Sequence, residues 1–474
     1  MEPQTTESNN GSAGEGSAGF LASCRDRLRS ASDGLRCAVA GFAGKLARIA
    51  RDDPRRVAHS LKVGLALTLV SVFYYVTPLF NGWGDSTISA VITVVFVMEF
   101  TVGATLSKGL YRVLATLAAG SLAVGAHLVA RLCGGDGEPI VLAVFVFLVG
   151  KHVHPPIQNS RCVSTRVFTL VHGGPAASAA TFSRFIPEVK ARYDYGVVIF
   201  ILTFALVTVS SYRVEDLIEF AHERVTTIAV GVATCLFTTV FVCPVWAGED
   251  LHNLTAGNLD KLAEFLEGME SECFGENPSE KLEGRAFLQV YRSVLNSKAA
   301  EDSLCAFARW EPIHGKFRFH HPWSQYQKIG VLCRQCASSM EALASYVVTS
   351  RKSQYPEANS ELCVKVGAAC GAMSSRSAKA LGELSSAVRT MTMPSPTNDD
   401  MPAAIGTTTN DFIAELSEDA ALLQVVHVAA IVSLLSDIVT QTKRIAEAVD
   451  DLARLARFER TERTRNAVVV NIED

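Results

Sequence analysis

Apolar positions along this chain follow two rhythms. Between His59 and Cys243 they gather into near-continuous runs: Leu61–Val76, Ile88–Leu106, Val113–Ala130, Pro139–Val149, Tyr195–Ser211 and Val225–Val245. Few charges interrupt them, Lys62 and Glu99 among those few. Most of the runs approach the ~20 residues that a helix rising 1.5 Å per residue needs to cross a hydrocarbon core; Pro139–Val149 is shorter. Core helices of a large soluble protein also read as apolar runs. Six in close succession, joined by short loops, predict membrane spans instead.

From Ala247 onward the rhythm becomes amphipathic. "NLDKLAEFLEGMESECF" sets Leu259, Leu262, Phe265 and Leu266 on one helical face, with charges elsewhere. "LLQVVHVAAIVSLLSDIVTQTKRIAEAVDDLARLARF" keeps helical spacing for longer, and its first half is apolar enough to pass for a seventh span. The acidic "AELSEDA" before it and the amphipathic continuation after it predict a buried bundle helix. "MTMPSPTNDDMPAAIGTTTND" reads as a loop. The expected fold is an all-α membrane protein, six transmembrane helices followed by a cytosolic helical domain. Its expected divisions are a cytosolic, partly disordered segment at 1–50, a transmembrane domain at 51–246, the helical domain at 247–460 and a tail at 461–474. The polar, Gly- and Ser-rich first residues do not read as a cleavable signal peptide.

Composition sharpens this division. The 474 residues are 49% hydrophobic and 19% charged, against about 25% charged in an average soluble domain, and mean hydropathy is +0.22. A net charge of −4 gives no reason to expect a nucleic-acid partner. Basic residues sit on alternate sides of the runs: Arg48, Arg51, Arg55 and Arg56 before the first, Lys108 and Arg112 after the second, Arg184, Lys190 and Arg192 before the fifth. The intervening loops are mostly acidic, which predicts that both termini are cytosolic. Twelve cysteines without regular spacing suggest reduced thiols. Cys333 and Cys336 form a lone CxxC with His320 and His321 upstream, too little for a zinc site without a second pair, so no metal or other cofactor is expected. No nucleophile–base constellation or phosphate loop occurs, which argues against an enzyme.

Candidate chemistry lies in the cations of the apolar half. A charged side chain within a span costs about 3 kcal/mol on insertion scales and usually faces a cavity or a partner. Lys62, Arg112 and Arg224 lie within or at the ends of such segments. A ring of cations lowers the barrier for anions and repels cations. Arg112 could instead be a cytosolic anchor, and Lys62 could snorkel from a helix end. Glu99 is expected to pair with Lys62 or Lys108.

The segments "DPRRVAHSLKVGLALTLVSVFYYV", "EFTVGATLSKGLYR", "FSRFIPEVKARYDYGVVIFILTF", "CPVWAGEDLHNL" and "WEPIHGKFRFHHPW" together resemble the plant aluminium-activated malate transporter family, in the same order. The likeness covers residues 50 to about 350 well and weakens through 460. It implies an anion channel that is a homodimer in the lipid bilayer, with six membrane helices per subunit and a cytosolic helical domain. Family members conduct malate, and several conduct chloride, nitrate or sulfate. The resemblance identifies Arg112 and Arg224 as pore-lining cations, which a two-fold dimer would present twice, and Lys62 joins them on the expected anion path. It also marks Trp310, Glu311 and Pro312 as the family's signature in the cytosolic domain, with Glu311 either tying that domain together or coupling it to the pore. The plasma membrane is expected ahead of the vacuolar membrane. An organic-anion carrier with alternating access and a non-conducting membrane scaffold stay open as alternatives.

The chain departs from the family pattern in places. Asp85 and Ser89 stand where an apolar residue and a tryptophan are usual, and Tyr111 replaces an asparagine. Between Val149 and Ala177 the apolar run breaks at "GKHVHPPIQNSRCVSTRVFTLVHGGPA", where the family continues its fourth helix directly. Gly-Lys and Pro-Ala at the two ends of this stretch permit codons carrying splice-donor and splice-acceptor consensus. Removal restores "FVFLVAASAATFSRF" in frame, so 151–176 is expected to be translated intron, with a genuine extra loop as the alternative.

Overall fold

The computed structural model describes residues 14–75, 88–132, 180, 182–210, 217–274, 284–315, 317, 321–352, 361–394 and 422–459. These are helical apart from turns and two isolated bridges, His314 with Phe317 and Thr392 with Glu459. Helices α1 (Gly14–Asp52) and α2 (Pro54–Tyr75) meet at Asp53. Pro54 has no N–H to continue the α1 ladder and suits the first helical position, while Asp53 Oδ1 accepts from Arg55 N at 3.1 Å as the N-cap of α2.

Five further apolar-half elements follow from the same sequence logic, four of them described: α3 (Ile88–Val97), α4 (Val102–Leu132), α5 (Pro187–Ser210) and α6 (Leu217–Phe241). The expected fourth span, Pro139–Val149, and the 151–176 insertion lie outside the described residues. The second expected span needs correction. Ile88–Leu106 is not one helix: α3 stops at Val97, and Val102–Leu106 open α4. The reason is a capping site inside the run. Thr101 Oγ1 accepts from Ala104 N at 3.3 Å, and Val102 N donates to Val245 O at 2.9 Å, so the chain starts a new helix where hydropathy alone shows no boundary.

Ala66 and Val70 of α2, Ala90, Val94 and Val97 of α3, and Ile228, Val232 and Cys235 of α6 form one buried apolar cluster. Helix α5 runs along α4 and meets it through Phe204 and Ala119. Gly231 lets α6 approach α3 closely, since a Cβ there would lie 2.9 Å from Thr93 Cβ. Outward-facing Leu61, Val72, Val95, Phe96, Leu114, Leu117, Phe237 and Phe241 remain exposed, a surface suited to lipid rather than water. By length and composition, Ala221–Phe241 is the one described helix able to cross a membrane, with Ile88–Val97 and Tyr193–Phe204 as shorter apolar helices.

The second half builds around α7 (Ala247–Met269), which continues into a π-turn at Glu270–Phe274. Helices α8 (Phe287–Leu295), α9 (Lys298–Ala308), α10 (Trp323–Lys352) and α11 (Glu361–Thr390) pack against α7, and α12 (Leu422–Ala456) lies on α10 and α11. Leu259, Leu262, Phe265 and Leu266 are all fully buried, the face that their spacing predicts. Leu435, Ile438 and Val439 of α12 join the same cluster, so the second half of this apolar stretch packs in the bundle core. Cys333 and Cys336 sit in this core, and burial pushes both thiols up, Cys336 to about 12.

Candidate functional site

Two polar constellations stand out against the apolar packing. The first lies within the helices of the apolar half. Arg112, three turns into α4, is 4% exposed, and its Nε donates to Thr93 Oγ1 on α3 at 3.0 Å. Tyr195 of α5 lies beside it, and Arg112 Nη1 is buried with no hydrogen-bond partner among the described residues. Arg224, in the first half of α6, donates from Nη1 to Ser89 Oγ on α3 at 3.3 Å. Ser89 and Thr93 are four apart and therefore share one face of α3, so two hydroxyls hold the two guanidinium groups one helical turn apart.

Lys62 of α2 is 1% exposed and makes no ion pair among the described residues; His59 and Cys243 are its electrostatic neighbours. It is not hydrogen-bonded into the α3 hydroxyl pair. Glu99 pairs with Lys108, one of its two expected partners. Glu99 lies in the α3–α4 break, nine positions before Lys108, whereas Lys62 stands on a separate helix. Among the described residues, the arrangement therefore leaves Arg112 and Lys62 buried without a carboxylate. Burying a cation without an opposite charge is costly. Such a site gains most from a visiting anion.

The second constellation joins the two halves. Glu311, just after α9, is the acceptor for two helix N-termini at once. Its Oε1 accepts from Gly103 N of α4 at 3.2 Å and from Ala247 N of α7 at 2.6 Å, and its Oε2 accepts from Gly248 N at 2.9 Å. The residue before α7 is Trp246, which has no side-chain acceptor and makes no cap bond, so a carboxylate from elsewhere does the capping. At α4 the first three N–H groups are all accounted for: Val102 by Val245 O, Gly103 by Glu311, and Ala104 by Thr101. The positive ends of both helix dipoles face this one carboxylate. Glycine is needed at the approach, because a Cβ at Gly103 would lie 2.9 Å from Glu311 Cγ. Burial pushes the Glu311 carboxyl above its ordinary value, opposed by the three N–H donors and by His314.

Trp310 and Pro312 complete this joint. The Trp310 ring meets Tyr111 edge-on at 5.6 Å, and Tyr111 is the neighbour of Arg112 on α4 and also touches Tyr193 of α5. His314 Nδ1 lies 2.8 Å from Pro312 O, which makes that nitrogen the donor, and leaves Nε2 3.8 Å from Glu311 Oε2. The ring stacks on Trp246 at 3.9 Å. Arg55 at the start of α2 pairs with Asp250 of α7 at 2.8 Å, a second tie across the same junction. Beneath it, Tyr326 Oη contacts His252 Nδ1 at 2.9 Å and His321 Nε2 at 3.2 Å, and burial lowers His321 to about 4. His321 is therefore engaged in the core, and no group of three or more potential metal ligands occurs among the described residues. Ser89, Trp246, His314 and the Arg55–Asp250 pair were not expected as site residues; the i, i+4 hydroxyls in an apolar run were the one readable signal.

Buried cations held by hydroxyls, set in apolar helices and tied to a separate helical bundle, define a helical membrane protein. The chain belongs to the aluminium activated malate transporter family, matching it over residues 47–155 and 165–418. This is a transporter family and not an enzyme family. The chain is 60% identical over 459 residues to aluminum-activated malate transporter 1 of Triticum aestivum, covering 96% of this chain and 94% of the relative. It is 43% identical over 418 residues to aluminum-activated malate transporter 2 of Arabidopsis thaliana (87% and 77%), and 41% identical over 444 residues to transporter 7 of the same plant (87% and 81%).

Proposed function

We propose that this chain is an anion channel of a plant membrane that conducts malate and inorganic anions. The observation that carries the reading is Arg112: a deeply buried guanidinium whose hydrogen-bonding partner is a hydroxyl, with one nitrogen unmatched among the described residues. Arg112, Arg224 and Lys62 form the anion path, and in a two-fold homodimer each contributes twice. The permeating anion exchanges water for these cations, which repel cations in turn. Six spans, cytosolic termini and a plasma-membrane location complete the proposal; the alternation of basic and acidic loops supports the orientation. Trp310, Glu311 and Pro312 couple the cytosolic bundle to the pore: Glu311 holds the start of α4, and Trp310 touches the residue beside Arg112. Patch-clamp of the expressed protein with malate, nitrate and chloride in turn is the test. Anion-selective currents that do not saturate over the range where carriers do are expected. Strict saturation with slow turnover would show a carrier, and no current above background would show a scaffold.

The 151–176 segment is proposed as translated intron. The family match breaks inside it, between residues 155 and 165, and Pro155 and Pro156 are poor residues for a membrane helix. Pro139–Val149 alone spans about 16 Å, roughly half of a ~30 Å hydrocarbon core; joining it through one alanine to the residues from Ala177 up to the turn at Arg184–Ile186 brings it to about 28 Å. The form lacking the segment is expected to dominate long-read transcripts and to carry more current than the form given. Abundant transcripts encoding 152–174, with equal currents from both forms, would sink this.

A further inference from the structure

The long helix α1 has an apolar face that nothing among the described residues covers. Leu35, Val39, Phe42, Leu46 and Ile49 are 45% to 67% exposed. At 3.6 residues per turn they fall within about 40° of one line along the helix. Arg36 and Lys45 flank this stripe on opposite sides, Arg48 and Arg51 lie farther round, and glycine and alanine fill most of the rest. Against these four cations stand only Asp33 and Asp52 in the same stretch. Past the Asp53 break the exposed apolar face resumes on α2 at Val57, Leu61 and Leu65, the start of the first apolar run.

We infer that α1 is an interfacial helix that docks on the membrane surface next to α2, and that its ligand is anionic phospholipid. The apolar stripe enters the boundary between headgroups and acyl chains, and Arg36 and Lys45 extend along its edges to reach phosphate and carboxylate groups. A second copy of α1 fits the stripe less well. If Leu35, Phe42 and Ile49 alternated with Val39 and Leu46 along a coiled-coil seam, the flanking positions would be Arg36, Ala43 and Ala50 on one side and Ala38, Lys45 and Asp52 on the other. Those positions offer no set of complementary charge pairs, while two cations beside an apolar stripe complement an anionic surface. The Asp53–Pro54 break allows α1 to leave the axis of α2. The inference rests on the chain being a membrane protein, but not on its conducting anions.

The test is hydrogen–deuterium exchange of the full chain in nanodiscs of phosphatidylcholine alone or with one part in five of phosphatidylserine. Discs expose both leaflets, so the readout is independent of which side holds the N-terminus. Amides of residues 33–52 are expected to exchange more slowly in the anionic discs, on the order of tenfold for the two flanking cations. F42D/L46D should abolish protection in both lipids. R36Q/K45Q should keep the protection seen in neutral discs and lose the anionic increment. Equal exchange in both lipids would overturn the inference. So would protection insensitive to lipid charge together with covalent linking of two copies through a photoreactive side chain at position 39, which would place a second copy on the stripe. Anion currents are measured on the same variants reconstituted in planar bilayers, so a lost current with intact lipid protection faults the channel proposal alone.

Discussion

Replacing Arg112 with Gln is expected to reduce anion current on the order of tenfold, the equivalent of about 1.4 kcal/mol of lost stabilisation for the permeating ion. Replacing it with Glu should bring current to background, because the sign of the field reverses in each copy of the path. The fold should tolerate the neutral change. A buried cation without a carboxylate carries an uncompensated desolvation cost, and removing it relieves that cost while Gln can still reach Thr93. Arg112→Lys separates charge from geometry: it keeps the cation but loses the guanidinium nitrogens. Arg224→Gln should act in the same direction with smaller effect, since that residue is only partly buried. Current–voltage curves and reversal potentials are the measurement, with surface protein quantified alongside. Unchanged curves in both R112Q and R112E would remove Arg112 from the anion path.

The second large effect is expected at Glu311. Alanine there leaves the N–H groups of Gly103, Ala247 and Gly248 without their acceptor, at a cost of about 3–5 kcal/mol. Because these groups open α4 and α7, the loss should appear as local loosening of the junction rather than as global unfolding. Exchange at those three amides should accelerate by a hundredfold or more for that energy, and current should fall although Arg112 is untouched. Glu311→Gln keeps the shape and one oxygen, so it should lie between wild type and alanine. The pH dependence separates it further. Burial raises the folded pKa of Glu311 above the ordinary carboxylate value. A raised carboxyl contributes stability that is fully present below the unfolded pKa and is lost as pH rises through the folded one. The Gln variant cannot titrate and should flatten that segment of the curve. Wild-type exchange rates and currents in Glu311→Ala would show that the clamp does not couple the two halves.

Much of the architecture was legible in the pattern of residues. The face of α7 formed by Leu259, Leu262, Phe265 and Leu266 is buried as its spacing requires, and α12 joins the bundle core through Leu435 and Ile438 despite a hydropathy that could suit a span. The break between α3 and α4 was not legible, because the apolar run resumes at Val102 after a single charge, Glu99. Thr101 caps there only because Val245 and Glu311 take the neighbouring N–H groups. Likewise Glu99 had two possible partners along the chain, and packing selected Lys108.

What the sequence alone determines is therefore local: which stretches are helical, which faces are apolar, where cations sit within apolar runs, and the family to which the motifs belong. Those properties follow from periodicities of a few residues and from the solubility of side chains. Tertiary structure decides which groups meet. Gly103 and Glu311 are 208 residues apart, and Ser89 and Arg224 are 135 apart. No local preference specifies such pairs. They form because helix N-termini buried at a junction must find acceptors, and because buried guanidinium groups must find oxygens, and only the packed arrangement of helices brings those partners within reach.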